Sequence, residues 1–110
     1  MIITTTDTIQ GYEISEYKGI VSGEVVSGIN FVKDMGAGLR NIFGGRSQGY
    51  EKEIIEAREQ AKSELIERAK SMGANAVIGV SFDMEGLGQN GSMILVSAIG
   101  TAVTIHKKDR

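Results

Sequence analysis

Between residues 50 and 72 apolar side chains recur at steps of three and four. Tyr50, Ile54, Ala57, Ala61, Leu65, Ala69 and Met72 fall on one helical face, with Glu53, Glu56, Glu59, Glu64, Glu67 and Lys70 on the others. The spacing predicts one long amphipathic helix. Ser47 is placed to cap its start, Glu64 and Arg68 are spaced as an i,i+4 ion pair, and Gly73 stands where a left-handed stop is expected. The alanines on the inner face predict a close approach of this helix to a sheet. Residues 12–27 are rich in β-branched and aromatic positions and interrupted by glycine, which predicts a long strand. Its parity is inconsistent: Tyr12 and Ile14 fall on one side, Tyr17, Val21 and Val25 on the other. An extra residue near Lys18-Gly19, a bulge, reconciles the halves.

Residues 76–85 alternate, with Ala76, Ile78, Val80, Phe82 and Met84 on one side, and predict a half-buried strand. Asn90-Gly91 is a strong hairpin dipeptide. The strand predicted at 93–106 is apolar on both parities, so it must be covered on both faces. Ile2-Ile3-Thr4 is a candidate short edge strand. Residues 30–45 carry Phe31, Val32, Met35, Leu39, Ile42 and Phe43 at helical spacings but include Gly36 and Gly38, which predicts a frayed helix or two helical turns. The expected architecture is an α+β domain with a three-stranded, mainly antiparallel sheet under one long helix. One helix covers one face of such a sheet. The other needs residues 30–43 or another subunit over it, and the small size of the domain favours the subunit.

Composition narrows the chemistry. With 110 residues there is room for one domain, 1–110, and a net charge of −2 gives no long-range pull on nucleic acid. The absence of cysteine excludes disulfides, thiolate metal centres and a thiol nucleophile. Residues 1–7 lack the basic and apolar regions of a signal peptide, and the uncharged stretch 86–105 is broken by glycine and polar residues, so no membrane span is expected. A cytoplasmic protein is the resulting expectation.

Gly44-Gly45-Arg46-Ser47, Tyr50-Glu51, Ala57-Arg58, Ala61 and Gly73-Ala74-Asn75-Ala76-Val77-Ile78-Gly79-Val80 together resemble the YbjQ-like family of small bacterial and archaeal proteins. Gly19-Ile20-Val21-Ser22-Gly23-Glu24 and Gly100-Thr101-Ala102-Val103 extend the resemblance over essentially the whole chain. It implies a dodecin-like β-α-β-β subunit built into a ring, a homopentamer, with no established activity and a heavy-metal-binding label.

That label meets a chemical objection. Soft metals prefer thiolate or thioether, borderline ones imidazole. The chain has no cysteine, scattered methionines and one histidine, His106, beside the basic tail. His106 is the metal candidate, its ligand set to be completed by copies gathered around an axis; the plainer account is a solvated terminal histidine. Asp83 and Glu85 share a parity and read as solvated carboxylates before they read as hard-cation ligands. Gly45-Arg46-Ser47-Gln48-Gly49 at a helix start offers free amides and a guanidinium, which makes Arg46, Ser47 and Tyr50 the candidate site for a small anion. The plainer account, which loop glycines favour, is a tight turn with Arg46 paired to a neighbouring subunit. Gly36-Ala37-Gly38 lacks the third glycine and the parallel context of a dinucleotide site. No catalytic constellation stands out. The expected function is a non-enzymatic, homo-oligomeric binding or scaffold protein with an unidentified ligand, the alternatives being metal binding and an enzyme whose site lies between subunits.

Overall fold

The computed structural model describes residues 1–27, 48–87 and 93–109, with residues 48–51 given as backbone only. The helical segment expected at 30–45, the Asn90-Gly91 turn and the Ser47 cap lie outside the described residues. Strand β1 is Ile2–Ile3, β2 is Tyr12–Ser27, helix α1 is Gln48–Ser71, β3 is Ala76–Leu87 and β4 is Met93–Lys107. They form one mixed sheet in the order β1-β3-β4-β2. Only β1 runs parallel to its neighbour; β3 and β2 both pair antiparallel with β4.

The sheet therefore has four strands where three were expected. Ile2 and Ile3 pair with Ala76 and Val77. The pairing continues past the strand: Thr4 N donates to Val77 O at 3.0 Å, Val80 N to Thr4 O at 3.0 Å and Gly79 N to Thr6 O at 2.8 Å. These bonds satisfy the outer backbone of β3 as far as Val80.

Strand β4 is central because both of its parities are apolar. One set, Ile94, Val96, Ala98 and Ala102, joins Val21, Val77, Val80 and the inner face of α1 in the larger core cluster. The other includes Val103 and Ile105, which pack with Ala76, Ile78, Ile2, Ile9, Tyr12 and Ile14 on the opposite face. Ala61, Leu65 and Ala69 are wholly buried under the helix. The helix comes closest at Gly23, where a Cβ would fall 2.2 Å from Ala61 O and 2.6 Å from Leu65 N. Small residues on both sides set this spacing.

Helix α1 ends as its sequence predicts. Gly73, at φ +81°, donates to Lys70 O at 2.9 Å, and Ala74 N donates to Ala69 O at 3.0 Å, the paired bonds of a Schellman stop. Asn75 then extends the sheet with its side chain. Its Nδ2 donates to Ile105 O at 2.9 Å and its Oδ1 accepts from Ile105 N at 2.7 Å, while its backbone N donates to Val103 O.

The bulge predicted in β2 is present as register shifts between Ile14 and Glu16 and between Tyr17 and Gly19. Strand β3 departs from its expected alternation. Its register shifts between Ile78 and Ser81, around Gly79 at φ +61°. Ala76 and Ile78 consequently face away from the helix, while Val80 joins Val77 beneath it. A Cβ on Gly79 would meet nothing within 4 Å, so this glycine serves backbone conformation and not a close approach. Gly100 does serve close approach: a Cβ there would lie 2.8 Å from Val77 Cγ1 and 2.9 Å from Ile78 O.

Candidate functional site

Among the described residues, the face of the sheet turned away from α1 is covered at one end only. Ile9 and Tyr12 close over Ala76, Ile78, Val103 and Ile105. Farther along, Tyr17 is 68% exposed, Ile20 77%, Val26 53% and Ile99 48%. The register places them together: Tyr17 opposite Val103, Ile20 opposite Thr101, Ser22 opposite Ile99 and Val26 opposite Leu95. Four large apolar side chains thus share one open surface, interspersed with Thr101, Ser22, Glu24 and Ser97, and exposed apolar groups of this kind mark an interaction site.

Two sheet edges flank this patch. Strand β2 is terminal in the sheet, and β3 has no outer neighbour beyond Val80 among the described residues. The β2 edge is partly capped by α1. Arg68 Nη1 donates to Ser22 O at 2.9 Å and to Glu24 Oε1 at 3.1 Å, and Nη2 bonds Glu64, the i,i+4 partner expected from the sequence. Hydrogen bonds from Ser22 and then Arg68 hold the Glu24 carboxyl below its ordinary pKa, and the Arg68 guanidinium is raised in turn by Glu24. A charge placed at a strand edge blunts it against indiscriminate pairing.

His106 is exposed near the end of β4, and its Nε2 lies 3.4 Å from Glu13 Oε2 on β2. Glu13 and His106 are direct register partners. Imidazole and carboxylate suit a borderline cation, but two donors are half of a tetrahedral set, and no thiolate exists in the chain to hold a soft metal. Among the described residues no group of three or more His, Asp or Glu side chains is placed to hold a metal ion. The described residues of a single chain therefore do not form a soft heavy-metal centre. Asp83 and Glu85 are exposed along β3. Of the anion candidates, Arg46 and Ser47 lie outside the described residues, and Tyr50 is placed by its backbone alone, in the first turn of α1. No helix among the described residues is long and apolar enough to cross a membrane.

Comparison with known proteins agrees with the fold. The sequence model of the YbjQ family, described as "Putative heavy-metal-binding", matches residues 1–106. A UPF0145 protein of Listeria ivanovii and another of Listeria welshimeri are each 61% identical over 109 residues, covering 99% of both chains. Among solved structures, a protein of unknown function of the DUF74 family from Pediococcus pentosaceus superposes with a TM-score of 0.60. It is 22% identical and covers 96% of this chain and 98% of its own, a likeness of fold.

Proposed function

This chain belongs to the YbjQ family, and from that premise we propose that it acts as the subunit of a closed homo-oligomer, a non-enzymatic binding or scaffold ring. The open apolar face carries the reading. Among the described residues, Tyr17, Ile20, Val26 and Ile99 remain accessible on one surface of the sheet. Fully burying an isoleucine or valine is worth about 1.5–3 kcal/mol, so covering this patch supplies several such increments at once. A second copy suits it, because among the described residues the edge of β3 beyond Val80 has no outer neighbour and presents unpaired backbone to the strands of another copy. The dodecin-like form and the five-fold number follow from the resemblance, and with a cytoplasmic setting they complete the proposal. Replacing Ile20 by Asp tests it: the assembly dissociates to a chain of 11.8 kDa in light scattering while its far-ultraviolet circular dichroism persists. An unchanged mass for this variant contradicts the assignment of that face.

The 3.4 Å pairing of His106 with Glu13 supports a second reading, metal binding shared between copies. Neutral imidazole and carboxylate from several subunits would supply the donors that one chain lacks. Native mass spectrometry after incubation with zinc would then show uptake abolished by His106→Ala and weakened by Glu13→Gln. No uptake by the wild-type assembly rejects this reading.

A further inference from the structure

On the helix side of the sheet, an open groove of about 400 Å³ runs between α1 and the outer part of β3. It lies on the opposite face from the assembly patch. It is lined by Ile3, Ile66, Val80 and Phe82, together with Met1, Thr4 and Thr5 from the N-terminal segment. The volume is within the range of small-molecule sites. Lys62 stands on the rim. One turn earlier, the Arg58 guanidinium carbon lies 5.9 Å from the centroid of Phe82, a cation–π contact on a residue of the groove lining. The sequence places these residues together because 58, 62 and 66 form one helical stripe, and the β3 bulge turns Val80 and Phe82 toward it.

The charges fix the kind of occupant. Asp83 and Glu85 have the opposite parity to Phe82, so the acids of β3 point away from the groove. Glu59, bonded to Lys62 at 3.1 Å, is the acid at the rim; both side chains are solvent-exposed in part, and such a pair yields readily to a better-placed carboxylate. An apolar lining beside two cations matches a molecule with one anionic end and a hydrocarbon body. We propose that this groove binds a small amphipathic carboxylate, its chain along Ile3, Ile66 and Phe82 and its carboxylate at Lys62 and Arg58. Binding here goes beyond the assembly reading and stands without it, since none of these residues belongs to the open face.

Octanoate is the probe, followed by methyl NMR of isoleucine-labelled protein. The Ile3 and Ile66 signals shift and saturate, while Ile20 and Ile99 stay in place. Octanol and octylamine bind at least tenfold more weakly, and the double variant R58Q/K62Q loses about tenfold in octanoate affinity. These two positions are on the surface, so the variant keeps its fold. Equal binding of octanol and octanoate overturns the proposal, as do shifts confined to Ile20 and Ile99. Signals of Ile3 and Ile66 that respond to protein dilution and not to octanoate assign the groove to a contact between copies, and also overturn it.

Discussion

Replacing Gly23 by Ala is the sharpest perturbation of the helix–sheet contact. The added Cβ would lie 2.2 Å from Ala61 O and 2.6 Å from Leu65 N, with Glu64 Cβ at 3.2 Å. Both of the closest atoms are helix backbone, so no side chain can rotate away. The helix must lift by about 1 Å to restore van der Waals separation. That movement loosens Ala57, Ala61, Leu65 and Ala69, all at 4% exposure or less. Overpacking of this kind costs typically 1–3 kcal/mol, and a rigid obstacle on both sides places this case at about 3 kcal/mol. For a domain near 100 residues each kcal/mol moves Tm by roughly 4–8 °C, so the expected fall is about 12–24 °C. Urea and thermal unfolding, followed by circular dichroism at one protein concentration, measure it, because association makes Tm concentration-dependent. Gly86→Ala is the control: nothing lies within 4 Å of its added methyl, and stability should stay within about 0.5 kcal/mol. A Gly23→Ala protein as stable as the control refutes the close-approach argument.

Gly73→Ala should cost about 1 kcal/mol by unfolding, since φ +81° strains an L-residue although the nearest atom, Lys18 Cε, is a comfortable 3.7 Å away; a raised Tm would count against the left-handed stop. The Glu24 carboxyl has its folded pKa depressed below 4.5, so its stabilising contribution is present above about pH 4.5 and is lost as pH falls through the lower folded value. Urea midpoints from pH 7 to pH 3 should therefore fall less steeply in Glu24→Gln than in the wild type, and parallel curves would remove the Ser22–Arg68–Glu24 account.

The main elements are legible in the sequence because their signals are local. The β-branched run of β2 ends where the strand ends at Ser27, and the parity conflict between Ile14 and Tyr17 foretells its bulges. The three- and four-residue spacing of α1, its Glu64–Arg68 pair and its Gly73 stop are likewise read within a few turns of chain. The β3 bulge is silent for a physical reason. Both parities of residues 76–80 are apolar, so exchanging faces at Gly79 leaves the pattern unchanged. The edge strand anticipated at Ile2-Ile3-Thr4 is present, but its parallel pairing with residues more than seventy positions away is not written in two isoleucines. The same distance hides the groove, whose lining needs Ile3, Ile66 and Phe82 from three elements. His106 is recognisable as a lone imidazole, but its neighbour Glu13 emerges only from a register that has passed two irregularities. The double apolar parity of β4, by contrast, states plainly that both faces need cover, and the exposed Ile20 and Ile99 show where the described residues leave it open.

Whether another copy supplies that cover is measured most directly by the absolute molar mass of the wild-type protein in solution. Light scattering behind size-exclusion chromatography at micromolar concentration should give a whole multiple of 11.8 kDa, fivefold for the proposed ring. A mass of 11.8 kDa under the same conditions would contradict the account.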